Sequence, residues 1–213
     1  MSTEWRGCVL RCALAAAAGV FGLWPAGAVR AQAQATDQVV EQCTNSNPAS
    51  MVPWDVAITA CTKAIESHGW AGKNMAWAYI DRCQALDHSG KYELAIADCN
   101  RGIRLDPADP NGFLNRGIAY KNRNDFTRAI ADYDHVLQLK PNYAKAYGDR
   151  GNVYFAQKNY TRAIADYDEA IRLDPQFANA YYGRGLAKQL TGDAAGGDAD
   201  IAKAREIDPN IGK

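Results

Sequence analysis

The sequence lacks the short motifs that mark many catalytic and nucleotide-binding sites. It contains no HExxH, GxSxG or P-loop pattern, and no GxGxxG that leads into a helix. Its three histidines, His68, His88 and His135, fall at unrelated places in the internal repeat of the chain. We therefore predict that the protein is not an enzyme and that it has no metal site and no cofactor.

An excess of charge of either sign is also absent. Lysine plus arginine and aspartate plus glutamate both number 24, so the formal net charge is zero. Non-specific binding to nucleic acid relies on a basic surface that neutralises phosphates. No nucleic-acid partner is therefore predicted.

Long apolar runs are missing as well. The run Cys12–Trp24 is shorter than the roughly 20 residues that span a bilayer. Arg6 and Arg11 precede it and small residues follow it, as in a secretory signal peptide. Residues 1–35 are predicted to be this signal and its cleavage region, and an uncleaved membrane anchor is the alternative. Cleavage is expected after Ala31, Ala33 or Ala35. The mature protein should then be secreted or periplasmic, of a bacterial type, without stable membrane insertion.

The chain repeats itself with a period of thirty-four residues. Thr127–Pro141 reads TRAIADYDHVLQLKP, and Thr161–Pro175 reads TRAIADYDEAIRLDP. A fixed period of this size indicates an array of stacked supersecondary units. Each unit has two segments with helical apolar spacing, a turn signal between them and a proline near its end, which predicts a pair of antiparallel helices. The region 76–213 is thus divided into units 76–109, 110–143, 144–177 and 178–211.

Several positions of the unit resemble the tetratricopeptide repeat (TPR) family. Position 4 is aromatic in every unit, position 8 is small, and position 32 is proline. The residues at positions 4 and 8 are Tyr79, Phe113, Tyr147, Tyr181, Cys83, Gly117, Gly151 and Gly185. The resemblance implies an all-α superhelical solenoid of about four full repeats. Residues 36–75 are interpreted as a degenerate N-terminal repeat that caps the array, with helices expected around Asp37–Thr44 and over Trp54–Glu66.

The same resemblance implies a function as an interaction module or scaffold. In this family, positions 2, 5, 9 and 12 of the first helices line a concave groove, which suits a peptide or a partner protein. The predicted partner-binding residues are Ile80, Gln84, Asn111, Leu114, Ile118, Lys145, Asn152, Phe155, Asn179, Tyr182 and Leu186. Some relatives clamp a C-terminal carboxylate, but only Asn115 and Lys145 match that pattern, whereas Ile80, Gln84 and Asp149 do not. A self-associating structural protein, a homo-oligomer, is an alternative function.

A recurring charge pattern departs from the family. Position 7, normally leucine, is arginine in every unit, and position 23 is aspartate. These residues are Arg82, Arg116, Arg150, Arg184, Asp98, Asp132, Asp166 and Asp200. Antiparallel helices bring the two positions to about the same level, so we predict a ladder of ion pairs between helices. A row of arginines that binds anionic ligands is the alternative.

Four cysteines remain after residues 1–31 are removed, an even number that indicates disulfides in an oxidising compartment. Cys83 at position 8 and Cys99 at position 24 should face each other. Cys61 aligns with Cys99 in the degenerate repeat, and Cys43 precedes it at a similar separation. Of the three possible connectivities we predict Cys83–Cys99 and Cys43–Cys61. A cysteine-based thiol or metal-binding protein is the alternative in which these residues stay unpaired.

Overall fold

The computed structural model describes residues 37–44, 52–67 and 70–213, and all of its regular structure there is helical. The contacts between residues divide the chain into two units, Met1–Gln38 and Val39–Lys213. The predicted signal peptide lies outside the described residues, as does His68. None of the helices in these three ranges combines the length and the hydrophobicity that a membrane crossing requires.

Ten helices and one short 3-10 turn, Gly72–Met75, make up the described part of the chain. Helix α1 covers residues 37–44, and α2 covers Trp54–Glu66. The remaining helices are α3 (Ala76–His88), α4 (Tyr92–Leu105), α5 (Pro110–Asn122), α6 (Phe126–Leu139), α7 (Ala144–Ala156), α8 (Tyr160–Leu173), α9 (Ala178–Leu190) and α10 (Ala194–Ile207). Two helices per unit confirm the predicted all-α repeat architecture, and the two N-terminal helices lie where the degenerate repeat predicted them.

A tight turn joins the two helices of each unit, and it contains one residue with a left-handed backbone. These residues are Gly90 (φ 73°), Asn124 (φ 61°), Lys158 (φ 61°) and Gly192 (φ 96°). Glycine and asparagine adopt this conformation readily, whereas a lysine there is uncommon. The turn is therefore a property of the whole array, including the unit in which the local sequence favours it least.

The two helices of a unit pack closely because small and large residues face each other. A Cβ added at Gly117 would lie 2.8 Å from Tyr133 Cε1, and one added at Gly151 would lie 2.8 Å from Tyr167 Cε1. Both tyrosine rings are buried, with 0% and 1% of their surface exposed. Position 8 must therefore be glycine wherever position 24 is tyrosine, since such a contact is closer than real Cβ atoms show.

Both predicted disulfides are present. Cys83 and Cys99 occupy positions 8 and 24 of the first unit, with their Cα atoms 5.4 Å apart, and so replace the glycine and tyrosine of the next two units. Cys43 and Cys61 join α1 to α2, with their Cα atoms 4.7 Å apart. All four cysteines are buried. Two successive helix pairs at the N-terminal end are therefore covalently closed.

The predicted ion-pair ladder is also present, with the same geometry in every unit. Each arginine of position 7 donates through Nε and Nη2 to the two carboxylate oxygens of its aspartate, at 2.6–2.9 Å. The four aspartates are only 5–8% exposed. This arrangement is the interhelical pairing, and not a free row of arginines.

The remaining guanidinium nitrogen connects neighbouring units. Nη1 of each arginine donates to a side-chain oxygen on the second helix of the preceding unit, at 2.6–3.0 Å. The acceptors are Thr62, Asn100, Asp134 and Asp168. One arginine thus fixes three helices, and the ladder sets the register between units as well as within them.

Candidate functional site: the inner groove

The first helices of the units form one face of the array. Helices α3, α5, α7 and α9 contact one another in succession, and contacts of this extent do not join successive second helices in the described residues. A stack in which one layer of helices lies closer together than the other curves toward the closer layer. The first helices therefore line the concave side.

Two adjoining cavities lie on this concave side, in the C-terminal half of the array. The first has a volume of about 190 Å³ and lies mainly between α7 and the start of α9. The second, of about 200 Å³, extends toward Phe155, Tyr182 and Leu186. Asn152, Tyr167 and Asn179 line both cavities. We call the two cavities together the inner groove.

Six of the predicted partner-binding residues line the inner groove. They are Lys145, Asn152, Phe155, Asn179, Tyr182 and Leu186. The other five belong to the first two units and do not line it. Among these five, Asn111 is exposed and Gln84 is half-buried, whereas Ile118 packs against the hydrophobic core.

The placement of Ile80 and Leu114 on an open surface was wrong. Ile80 is 2% exposed and Leu114 is 3% exposed. Ile80 fills the space that Gly102 leaves, since a Cβ added at Gly102 would lie 2.6 Å from Ile80 Cγ1. Position 5 becomes a core position where its neighbours are this small.

Polar side chains in the first two units are also already hydrogen-bonded. Asn122 Nδ2 donates to both carboxylate oxygens of Asp87 at 3.0 Å, and Asp87 is only 6% exposed. Asn115 is buried and donates through Nδ2 to the carbonyl oxygen of Ile80 at 3.3 Å. Asn115, one of the two residues that match the carboxylate clamp, is thus occupied by the protein itself.

Sequence reasoning missed Tyr167, which forms the floor of the inner groove although it lies on the second helix α8. Its ring reaches the concave side because a glycine lies on each side of it: a Cβ added at Gly183 would be 2.6 Å from Cζ, and one at Gly151 would be 2.8 Å from Cε1. The hydroxyl donates to Asn152 Oδ1 at 2.8 Å. The signal in the sequence was a tyrosine at position 24 followed by a glycine at position 6 of the next unit.

Phe177 was missed as well. It lies in the loop before α9 and forms one wall of the first cavity. A Cβ added at Gly148 would lie 2.7 Å from Phe177 Cε1, so the ring packs directly on the backbone of α7. The glycine at position 5 of the third unit therefore makes room for an aromatic wall.

Asp149 carries the unusual electrostatics of the inner groove. Its Oδ2 is buried and accepts no hydrogen bond. Lys145 Nζ lies 3.8 Å from that oxygen, beyond hydrogen-bond distance, on a side chain that is 47% exposed. Burial raises the pKa of Asp149, while the charges of Lys145 and Lys121 oppose the rise. Asp149 is thus a poorly satisfied acceptor in the wall of an open cavity.

The repeats match known family models over most of the array. Residues 76–109 match the model described as "Tetratricopeptide repeat", and residues 119–158 and 151–192 match the one described as "TPR repeat". The chain belongs to the tetratricopeptide repeat family. Repeats of this family build the extended concave surfaces that solenoid proteins use for binding, and the chain has the architecture of a protein-interaction scaffold.

Known proteins support the same assignment. The chain is 38% identical over 66 residues to "Protein SGT1 homolog" of Oryza sativa subsp. japonica, a match that covers 31% of the chain and 17% of that protein. "MamA 41-end from Desulfovibrio magneticus RS-1" is 30% identical, with a TM-score of 0.57 over 63% of the chain and 76% of that solved chain. "First TPR of Spaghetti (RPAP3) bound to HSP90 peptide SRMEEVD" is 28% identical, with a TM-score of 0.53 over 55% of the chain and 92% of that domain.

Proposed function

We propose that the protein is an exported TPR scaffold that binds an extended peptide, or such a segment of a partner protein, in the inner groove. The observation that carries this proposal is the continuity of the two cavities across Asn152, Tyr167 and Asn179. Amide side chains suit the backbone of an extended peptide, and aromatic and aliphatic side chains suit its apolar residues. The inner groove provides both kinds of side chain.

A peptide ligand is consistent with the relatives of the chain. The first TPR domain of Spaghetti (RPAP3) has been solved bound to the HSP90 peptide SRMEEVD. The chemistry of the inner groove differs from a site for an acidic peptide, since Asp149 lines the first cavity and Asn115 is buried. The likeness therefore supports the class of ligand and not its sequence.

Export is supported by the N-terminal segment and by the cysteines. A basic pair before an apolar run and small residues after it are typical of a secretory signal. The four cysteines of the described residues form two disulfides, which persist in oxidising compartments. The alternative of a cysteine-based thiol or metal protein needs those cysteines unpaired, so this pairing argues against it.

Mass spectrometry of the protein recovered from cell fractions tests export. We expect a mature chain that begins after Ala31, Ala33 or Ala35, is recovered outside the cytoplasm, and has no free thiol. A cytoplasmic chain that retains residues 1–35 and has all six of its cysteines as reactive thiols would contradict export.

Site-specific photo-crosslinking tests the groove. A photoreactive phenylalanine analogue in place of Tyr182 should crosslink to a partner in the native host, whereas the same analogue at Leu94, which is 58% exposed on α4, should not. Changing Phe155 to alanine should abolish the crosslink from position 182, because central aromatic anchors typically contribute about 2 kcal/mol or more. Equal crosslinking from both positions, or insensitivity to the Phe155 change, would refute binding in the inner groove.

A further inference from the structure

The side chains that line the first cavity of the inner groove restrict the class of ligand group that can bind there. Its lining contains two carboxylates, Asp149 and Asp174, and one cation, Lys145. Asn152 and Asn179 add side-chain amides, and Phe177 adds an aromatic face. The cavity is therefore richer in acceptors and negative charge than in positive charge.

Asp149 differs from the buried aspartates of the ladder. Asp166, for example, is 6% exposed and accepts two hydrogen bonds from one arginine, at 2.7 and 2.8 Å. The Asp149 side chain is 16% exposed and lines the first cavity, and its Oδ2 accepts no hydrogen bond. A carboxylate that lacks a hydrogen-bond donor is costly to bury, and a cation placed beside it in the cavity offsets part of that cost on binding.

A second polar group next to Asp149 is also unsatisfied. The Tyr133 hydroxyl is fully buried and has no hydrogen-bond partner among the described residues. In the third unit, Asn152 at position 9 accepts the hydrogen bond of the Tyr167 hydroxyl. In the unit of Tyr133, position 9 is the apolar Ile118, which cannot accept one. Burial raises the pKa of Tyr133, and the negative charge of Asp149 adds to the rise. Tyr133 and Asp149 therefore interact electrostatically, yet they share no hydrogen bond that would satisfy either.

We infer that the first cavity binds a basic side chain, a lysine or arginine of the partner peptide, with Asp149 as its counter-ion and the Phe177 ring against its apolar stem or cationic head. This inference rests on the proposed function, because the side chain enters as part of a peptide in the inner groove. A volume of about 190 Å³ accommodates several water molecules, at about 30 Å³ each, or one long side chain in their place.

An anionic side chain fits the cavity less well. It would approach Asp149 and Asp174, and like charges at close range disfavour binding. The Lys145 ammonium is not held in the cavity by a hydrogen bond to Asp149, and at 47% exposure it is free to turn toward solvent when a second cation enters. The charge complementarity of the site thus favours a cation.

The test has two steps: peptides that bind the protein are selected, and their basic residue is then replaced by citrulline, a neutral analogue of arginine. Random ten-residue peptides would be selected for binding to the full-length protein with both disulfides formed. Peptides whose binding is lost in the Phe155→Ala, Tyr182→Ala variant would be kept as groove ligands. We expect these to share a lysine or arginine, and replacing that residue by citrulline, which keeps the shape of arginine without its charge, should weaken binding about 10- to 100-fold.

Two variants test whether Asp149 causes the difference between the arginine and citrulline peptides. In Asp149→Asn, the arginine and citrulline peptides should bind alike, whereas Asp55→Asn, which removes an exposed carboxylate on α2, should preserve the difference. Groove ligands without a shared basic residue, or equal binding of the two peptides to the unchanged protein, would overturn the cation site while leaving the proposed function intact. A selection that yields no groove-dependent peptide would refute the proposed function, and the cation site with it. The citrulline comparison on the unchanged protein decides the matter if Asp149→Asn does not fold.

Discussion

The arginine ladder makes a sharp prediction about stability at Arg150. Its guanidinium donates to Asp166 at 2.7 and 2.8 Å and to Asp134 at 2.6 Å. Arg150→Ala leaves the carboxylate of Asp166, 6% exposed, without the partner that balances its burial. Removing one member of such a buried pair typically costs about 3–5 kcal/mol. We expect a loss of free energy of unfolding in this range, measured by urea denaturation followed by circular dichroism.

Matched controls separate burial from charge. Arg172 pairs with Glu169 within α8 on the surface, where the two side chains are 64% and 43% exposed, so Arg172→Ala should cost less than about 1 kcal/mol. The double change Arg150→Ala, Asp166→Ala should cost clearly less than the sum of the single changes, by about 2 kcal/mol or more. Equal losses for Arg150→Ala and Arg172→Ala, or additive costs in the double variant, would refute the ladder as a source of stability.

Two further predictions concern the first unit. Burial raises the pKa of Asp81 from 3.8 to about 7, and the nearby charge of Asp109 adds to the rise. The contribution of protonated Asp81 to stability is therefore complete below pH 3.8 and is lost as the pH rises through about 7. Asp81→Asn should accordingly leave stability unchanged near pH 4 and increase it at pH 8, by at most about 4 kcal/mol, and an equal effect at both pH values in urea titrations would contradict this. Replacing the disulfide by Cys83→Gly, Cys99→Tyr should yield a protein about 1–3 kcal/mol more stable than Cys83→Ala, Cys99→Tyr, because only glycine admits the tyrosine ring. Indistinguishable urea midpoints for these two variants would argue against that packing rule.

The repeat pattern made most of the fold predictable. Helix starts at Ala76, Pro110, Ala144 and Ala178 follow from one period, and a pattern seen four times averages out local exceptions such as Lys158 in the turn. The ladder and the disulfides were predictable for the same reason. Paired substitutions at facing positions carry information about contacts even within a single chain.

The inner groove was only partly predictable, because the accessibility of a position depends on the size of residues in other units. Position 5 is buried at Ile80, where Gly102 leaves space, and it is a backbone platform for Phe177 at Gly148. The repeat period alone assigns the same role to Ile80 and to Gly148. Side chains such as Tyr167, which cross from the second helix to the concave side, are invisible to a pattern that assigns each helix one face.

The ladder and the inner groove are physically connected in the last two units. Arg184 on α9 donates to Asp200 on α10 and to Asp168 on α8, at 2.6–2.8 Å. Asp168 is adjacent in sequence to Tyr167, whose ring forms the floor of the groove and abuts α9 at Gly183. The bond that fixes the register of α9 on α8 therefore also fixes the position of the groove floor. Since a pre-formed site avoids part of the entropic cost of ordering on binding, the rigidity supplied by the ladder favours recognition as well as folding.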